Sequence, residues 1–465
     1  MRKLNVFRRT LTFGVSVAML AGCGGAQTQP SVPDAQQQVT SRGVHGSMKG
    51  AAATAFTVSG RNLLLDGSPF FIKGVDYGNN QIDAYADPNP LDNANDKVWA
   101  PDLEAMRAAG VNSVKVYNVT LESFKPYEEI IGGYNKLRPY ETGRINKFLN
   151  QAWNKGNHPI YVVLRVFFGG ANVKEPKYLD ALKAVYGFMA SEYASYPALM
   201  GVSIGSEINS EEYINDPLWW KNLNQINESV TKAFAAAGVQ KITTTTMVDD
   251  GLRTVKAGEL AGFKADTWGI DVYRGRTMGR IWNEIATSTQ KPTIIAEYGA
   301  SAGYYPASSA QYDTGKGSCT NYPPGTKNPP NYGLPGDRPW ENIAELPKSG
   351  NPNMDFLVTY ATQNATEIYE HRASNNGVTA GGFYFEWNDE WWKSGWPFKH
   401  IGGFEGNKIV ANADFPGCYD DQAWFGLNED KKNGSGPDPF PRRLPDTRVP
   451  RPTLKAIESV WAGQN

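Results

Sequence analysis

The chain has 465 residues, which is enough for one large α/β barrel with extended loops or for two ordinary domains. Its 46 basic and 47 acidic residues nearly cancel, which argues against a nucleic-acid partner and against an acidic polymer. The chain is 12% aromatic with 13 Trp, a composition that suits either a sugar ligand, with its flat apolar faces, or an ordinary aromatic core.

Residues 1–22 are predicted to be a targeting segment rather than part of the fold. Four basic residues precede an apolar run from Leu11 to Leu20 that is too short to span a membrane as a mature helix. The next residues, Leu20-Ala21-Gly22-Cys23, resemble the lipobox of bacterial lipoproteins. The resemblance implies cleavage before Cys23, a lipid on Cys23, and a membrane anchor in the bacterial cell envelope, on the periplasmic or outer-membrane side. The alternative is a simple secretory signal with a chance Cys.

The two remaining cysteines, Cys319 and Cys418, form an even pair, 99 residues apart. In an oxidising compartment such a pair predicts a disulfide, and two free thiols are the alternative. The four histidines are scattered, and the sequence has no CxxC or HExxH motif. We therefore predict no metal and no cofactor.

Residues 23–54 are rich in Gly, Gln, Ser, Ala and Thr, so they are predicted to be a flexible tether. Residues 55–465 are predicted to form a single domain. It opens with a β-hairpin over 56–70, which has strand-like runs around turn residues and is expected to plug the bottom of a barrel.

Eight apolar, strand-like runs alternate with helical patterns in the rest of the chain. The runs are Phe71–Tyr77, Ser113–Asn118, Pro159–Val166, Leu199–Glu207, Lys241–Val248, Thr267–Tyr273, Lys291–Ala300 and Gly381–Trp387. The helical patterns cover 101–110, 178–193, 219–238, 353–371 and 452–461. This alternation predicts an α/β fold of the (β/α)8 TIM-barrel type. A doubly wound sheet is the alternative, but no GxGxxG turn follows any of the runs.

Three connections, over 78–100, 299–351 and 388–450, are too long to be simple turns. They follow strands 1, 7 and 8, so all three are expected on the catalytic face of the barrel. The predicted disulfide would join the last two across that face. Trp391 and Trp392 lie in the polar loop after strand 8 and are interpreted as walls of sugar subsites rather than core.

Two of the predicted strands end at a glutamate, strand 4 at Glu207 and strand 7 at Glu297. Active sites of such barrels lie at the carboxyl ends of the strands. Retaining glycoside cleavage requires two carboxyl groups about 5–5.5 Å apart, and long side chains at these two ends can converge. Asp249 and Asp250 end strand 5 and are read either as sugar contacts or as a solvated turn.

The order of these motifs resembles the clan of (β/α)8 glycoside hydrolases with the acid/base on strand 4 and the nucleophile on strand 7. Within it, the opening hairpin and the run 70–77 resemble family-2 glycosidase barrels and fungal β-1,3-glucanosyltransferases. The resemblance implies that Glu207 is the acid/base and Glu297 the nucleophile. It also implies that Tyr273 hydrogen-bonds Glu297 and that Trp387 forms the sugar platform.

The sequence departs from the clan pattern at two positions. Ser206 stands where an Asn usually precedes the acid/base, and Lys115 stands where strand 2 usually carries an Arg. Asn209 and Arg165 are the candidates to replace those groups in binding substrate.

Together these features predict a monomeric, lipid-anchored retaining β-glycosidase acting on an oligosaccharide or polysaccharide resembling β-glucan. Two alternatives remain open at this point. The first is a β-glucan transglycosylase similar to the glucanosyltransferases. The second is a carbohydrate-binding lipoprotein without catalysis.

Overall fold

The computed structural model describes residues 54–84, 90–117, 145–166, 168–274, 277–300, 354–394, 400, 410–411, 419–420, 422–434 and 444–464. The predicted signal segment, almost all of the tether, and Cys23, Cys319 and Cys418 lie outside these residues. Among the helices of the described residues, none combines the length and the apolar character needed to cross a membrane.

The domain opens with a small antiparallel sheet of three strands, Phe56–Ser59, Asn62–Leu65 and Ser68–Pro69. Glycine at 60, with φ +55°, permits the first turn. Phe56 donates its N–H to the carbonyl of Gln240, just before strand 5 of the barrel, at 2.9 Å. Phe56 and Leu63 pack with residues from the amino-terminal ends of the barrel strands, so the hairpin closes the bottom of the barrel as predicted.

A closed barrel of parallel strands follows, and it confirms the predicted (β/α)8 class. Barrel strands 1 to 8 are Ile72–Tyr77, Ser113–Val116, Tyr161–Arg165, Leu199–Ser203, Ile242–Val248, Trp268–Asp271, Thr293–Tyr298 and Thr379–Tyr384. Strand 5 is interrupted at Thr245. Its first half, Ile242–Thr244, pairs with strand 4, and its second half, Thr246–Val248, pairs with strand 6. The barrel therefore closes through strand 5.

Helices cover the outside of the barrel. Within the described residues they are Asp96–Ala108, Asn146–Trp153, Pro176–Tyr193, Pro217–Ala236, Arg253–Leu260, Ile281–Ser288, Met354–Glu370 and Pro452–Ala462. Pattern reading found the longer helices but missed 146–153, 253–260 and 281–288, each of which has 8 residues. Two helical turns give too few apolar repeats for the period to stand out.

The strands are buried on both faces because helices cover the outside and side chains fill the inside. The interior is tightly packed around Gly74, where an added Cβ would lie 2.3 Å from the ring of Phe383. A core that leaves no central channel forces polar chemistry to the ends of the strands, which is where the candidate site lies.

A small antiparallel ribbon, Asn428–Lys431 paired with Thr447–Pro450, follows the loop after strand 8. Arg451, just after the ribbon, makes a bidentate ion pair with Asp389, in which Nη1 lies 2.7 Å from Oδ1 and Nη2 lies 2.6 Å from Oδ2. Both side chains are buried. This contact fixes the end of the chain to the segment that leaves strand 8.

Candidate active site

Glu297 lies near the carboxyl end of barrel strand 7, inside the mouth of the barrel. It pairs in register with Asp271 of strand 6, and its carbonyl accepts a hydrogen bond from Val272 N–H at 2.8 Å. Its side chain is buried, with 6% of the residue exposed. A carboxylate this enclosed needs partners for its oxygens.

Three side chains supply those partners. The Tyr273 hydroxyl donates to Glu297 Oε2 at 2.9 Å, as the resemblance implied. The ammonium of Lys115 donates to Oε1 at 3.3 Å, and the Tyr117 hydroxyl lies 3.4 Å from the same oxygen. These three contacts satisfy both oxygens of the buried carboxyl group and fix its orientation.

Lys115 also faces a second acid, because its Nζ lies 3.3 Å from Oδ1 of Asp76 at the adjacent register position of strand 1. Burial alone would lower the pKa of Lys115, but Asp76 and Glu297 outweigh it and hold that pKa above its ordinary value. Burial raises the pKa of Asp76 well above the usual range, although Lys115 opposes the rise. Lys115 thus remains charged between the two acids.

Glu207 is presented by a turn rather than by a strand. Strand 4 ends at Ser203, and the chain then bends through Gly205, with φ +74°, and Glu207 itself, with φ +52°. Glu207 donates its N–H to the carbonyl of Thr246 on strand 5 at 2.8 Å. A left-handed conformation at a glutamate costs about 1–3 kcal/mol, which is a reason to look for function at this position.

The turn brings Glu207 close to Glu297. The carboxyl groups of Glu207, Asp271 and Glu297 each offer an oxygen within 4.8 Å of the others. Although Glu207 has solvent-exposed surface, protein atoms surround it at the barrel mouth. This burial, with the nearby charge of Glu297, raises the pKa of Glu207 to about 7. Solvent at the exposed surface screens part of the effect.

The predicted substrate contacts of Ser206, Asn209 and Arg165 stay predictions, and the structure shows the protein groups around them. Asn209 accepts a hydrogen bond from Val248 N–H at 2.9 Å and donates to the Val248 carbonyl at 3.2 Å. Arg165 donates from Nε to the carbonyl of Tyr117, over whose ring its guanidinium lies at 5.3 Å. Both side chains therefore support neighbouring backbone, and Ser206 stands half-buried beside Glu207.

Trp387, the predicted sugar platform, is buried in this structure, and its contact with sugar stays a prediction. Only 1% of its surface is exposed, it belongs to the main hydrophobic core, and its backbone N–H donates to the carbonyl of Asp76 at 3.0 Å. Phe385, two residues earlier, instead packs edge-on against Tyr117 and Tyr273, with ring centroids 6.0 and 6.4 Å apart. The sequence pattern placed the end of strand 8 at Trp387, whereas the strand ends at Tyr384.

Trp391 and Trp392 begin a short 3-10 helix, Trp391–Ser394, and both are half-buried. Trp391 stacks on His400 at 4.6 Å between ring centroids. Lys393, in the same helix, reaches back to the site, with its Nζ 4.0 Å from the Phe385 ring centroid and 2.6 Å from Glu390 Oε2. The role of Trp391 and Trp392 as subsite walls stays a prediction.

Asp249 and Asp250 are engaged by the protein rather than free for a ligand. Arg274 contacts Asp249 through two nitrogens, with Nη2 2.8 Å from Oδ1. Asp250 accepts hydrogen bonds from the backbone and hydroxyl of Thr254, at 3.1 and 2.6 Å, at the start of the helix Arg253–Leu260. The pair belongs to a turn, as one of the two readings had it, but the turn is buried rather than solvated.

Sequence reasoning missed Asp76, Tyr117, Asp271 and Lys393 as members of the site. Asp76 and Asp271 lie at the carboxyl ends of strands, so the rule that found Glu297 would have found them too. Tyr117 follows Lys115 by two residues and therefore faces the same way. Lys393 carried no signal, because the fold of the loop after strand 8 brings it back.

The carboxyl groups of Glu207, Asp271 and Glu297 are near enough to share one cation. The Lys115 ammonium already supplies positive charge on the Glu297 side. We therefore assign no metal here.

Neither a family model nor a curated protein matches the sequence. Solved structures do match. A GH2 β-galacturonidase from Eisenbergiella tayi bound to galacturonate is 10% identical, with a TM-score of 0.50 over 88% of this chain and 54% of that chain. A β-glucuronidase from Bifidobacterium dentium complexed with coumarin-3-O-glucuronide is 12% identical, with a TM-score of 0.48 over 88% and 49%. Our chain spans about half the length of these structures. The likeness to the β-galacturonidase supports the α/β barrel fold.

Proposed function

We propose that this protein is a retaining β-glycosidase acting on β-linked glycans. The observation that carries the proposal is the pair of carboxyl groups, Glu207 and Glu297, with oxygens within 4.8 Å of each other in unlike surroundings. Retaining enzymes hold their two carboxyl groups about 5–5.5 Å apart, whereas inverting enzymes leave room for a water between them. Because the two carboxyl groups have different surroundings, one can act as the proton donor and the other as the nucleophile.

In the first step Glu297 attacks the anomeric carbon while the glycosidic bond breaks. Glu207, whose pKa is raised to about 7, gives its proton to the leaving oxygen. Tyr273 and Lys115 hold the Glu297 side chain in place before the attack. In the second step Glu207 takes a proton from water, the water oxygen bonds to the anomeric carbon, and the ester to Glu297 breaks.

We propose a substrate resembling β-glucan, with transfer to a second sugar hydroxyl as a variant of the second step. If the half-buried Trp391 and Trp392 hold an acceptor sugar, they would favour transfer over hydrolysis. The solved structures that match are described as uronidases, so β-uronides belong in the same substrate panel. Product analysis with and without added oligosaccharide acceptor separates hydrolysis from transfer.

The test begins with aryl β-glycosides of several sugars and with β-linked glucans, mannans and xylans. A 2-deoxy-2-fluoro glycoside of an accepted sugar should label Glu297, as read by peptide mass spectrometry. Glu207→Gln should keep turnover of substrates with an activated aryl leaving group and should be rescued by azide to a β-glycosyl azide. Glu297→Gln should yield no labelled ester.

The competing function is a glycan-binding protein without catalysis, which the Ser at position 206 and the Lys at position 115 favour. Binding of a glycan by wild type together with cleavage of none would support it and refute the enzyme. Label on a residue other than Glu297 would show that Glu297 is not the nucleophile.

We propose that a lipid on Cys23 anchors the protein to a membrane of the cell envelope. We also propose a disulfide between Cys319 and Cys418. Expressed with its leader in a bacterium, the protein should partition into detergent, and Cys23→Ser should abolish this. Intact mass spectrometry of the alkylated protein, with and without prior reduction, tests for the disulfide. Recovery of the wild type in the aqueous phase would rule out the anchor.

A further inference from the structure

Asp271 is a buried acid for which the proposed mechanism has no use. It ends barrel strand 6 in register with Glu297 on strand 7. It is 2% exposed, and neither of its carboxyl oxygens has a hydrogen-bond partner among the described residues. One of its oxygens lies within 4.8 Å of both Glu207 and Glu297. An ionised carboxylate without hydrogen bonds is costly at this depth.

The nearest ammonium is already committed to other acids. Lys115 on strand 2 lies 3.3 Å from Asp76 on strand 1 and 3.3 Å from Glu297. Glu207 adds a further carboxyl group on the strand 4 side. Around Lys115 there are thus more carboxyl groups than one positive charge can balance.

The other polar and charged groups near Asp271 contact partners other than Asp271. On the strand 5 side, Asp249 and Arg274 form their own ion pair at 2.5 Å. Arg165 on strand 3 donates to the Tyr117 carbonyl, and the Tyr273 hydroxyl donates to Glu297. Burial, with the charge of Glu297 added, raises the pKa of Asp271 well above the usual range, although Lys115 opposes the rise.

We propose that Asp271 is a positioning residue that carries a proton in the resting site, so that the Lys115 ammonium is left to Glu297 and Asp76. In its neutral form it places no second negative charge beside Glu297. Its role in catalysis rests on the proposed function, whereas its protonation does not.

The first test reads the proton directly, without substrate. Near neutral pH the infrared difference spectrum of wild type minus Asp271→Asn should show a protonated carboxyl band, because Asp76 and Glu207 contribute equally to both proteins and cancel. Asp216→Asn is the matched control, because Asp216 is paired with Lys174, caps a helix, and has a pKa lowered first by its hydrogen bond to Lys174. Asn caps as well as Asp, so the control should fold and leave the band unchanged. An Asp271→Asn spectrum identical to wild type overturns the proposal.

The second test uses the pH dependence of stability. An acid with a raised pKa in the folded state binds more protons when folded, so stability falls as pH rises from about 4 toward the folded pKa. Asp271→Asn should remove this loss and become more stable relative to wild type as pH increases. A variant that instead loses stability relative to wild type as pH rises would show an anionic Asp271 and overturn the proposal. If Asn is not tolerated, Asp271→Ser removes the same acid and gives the same readouts.

The third test measures catalysis. Asn resembles a neutral acid, so the ratio of kcat/KM in Asp271→Asn to that in wild type should rise as pH rises, because only wild type then gains a second negative charge beside Glu297. Above neutral pH the decline should be steeper in wild type, which loses protons from both Glu207 and Asp271, than in the variant. If wild type cleaves no glycoside, the proposed function fails, and the spectrum and stability still decide the state of Asp271.

Discussion

Lys115 and Glu297 come from strands 2 and 7 of the barrel, and their charged groups meet in its mouth with Nζ 3.3 Å from Oε1. The same ammonium lies 3.3 Å from Asp76, so one cation serves two buried acids. A lysine is a compact point charge, which suits two carboxylates that approach from different strands.

Replacing Lys115 by Met should therefore harm both folding and activity. The loss of one partner of a buried ion pair costs about 3–5 kcal/mol, because the remaining charges are uncompensated. We expect kcat/KM to fall about 100-fold or more, as happens when one electrostatic contact to a reacting group is removed. Urea unfolding and steady-state kinetics measure the two effects. Lys115→Arg keeps the charge and is the control. Equal activity in the Met variant would mean that Glu297 needs no cation.

Tyr273 should matter more than Tyr117, although both hydroxyl groups reach Glu297. The distances are 2.9 Å for Tyr273 and 3.4 Å for Tyr117, on different oxygens of the carboxylate. A hydrogen bond to a charged group contributes about 1.5–3 kcal/mol, so Tyr273→Phe should lower kcat about 10- to 100-fold. Tyr117→Phe is the matched control and should lower kcat less. The reverse order of the two variants would contradict this account of the nucleophile.

The strand pattern could be predicted from the sequence because apolar runs and turn residues are local signals. Glu297 could be found as well, since it lies on such a run. The sequence indicated that Glu207 pairs with Glu297, but it did not indicate how the backbone brings the two residues together. Strand 4 stops at Ser203, and a left-handed turn that depends on contacts with strand 5 carries Glu207 to the mouth.

Trp387 shows why aromatic residues were harder to assign. On sequence alone a Trp at a strand end can face either a ligand or the core. The choice depends on where the strand stops and on how the loop after strand 8 packs. Lys393 reaches Phe385 through that same loop, and no local pattern reports such a contact.

Trp387→Ala should therefore act on stability rather than on substrate binding. Removal of a large aromatic side chain from a packed core costs about 3–5 kcal/mol. The folded fraction should keep the KM of wild type, since the ring has 1% exposure. Thermal unfolding and Michaelis–Menten kinetics below the unfolding temperature test this. A large rise in KM with unchanged stability would restore Trp387 as the platform.

The pH profile should fall on the alkaline side because Glu207 must be protonated to act as an acid. Its pKa, raised to about 7 by burial and by Glu297, places that decline near neutral pH. Glu207→Gln, assayed on a substrate with an activated leaving group, should lose the contribution of Glu207 to the alkaline limb of the first step, because no acid is then required. Burst kinetics isolate that step. A limb that persists unchanged in Glu207→Gln would assign it to another group.

The ion pair between Asp389 and Arg451 should govern acid stability. Burial would raise the pKa of Asp389, but Arg451 and His400 outweigh it and hold this pKa below the ordinary value. An acid with a depressed folded pKa contributes stability above its unfolded pKa of about 3.9, and that contribution disappears as pH falls through the folded pKa. Arg451→Met should cost about 3–5 kcal/mol at neutral pH, because Asp389 is left buried with less compensation.

The same variant should also lose less stability than wild type on acidification, since Asp389 has already lost its pairing with Arg451 and keeps only the contact with His400. Urea unfolding from pH 3 to pH 7 measures both slopes. Lys432 pairs with Asp83 near the barrel mouth, with partial exposure of both side chains, and Lys432→Met is the control for a peripheral pair. It should change stability by about 1 kcal/mol or less. Parallel curves for Arg451→Met and wild type would mean that this pair does not hold the end of the chain against acid.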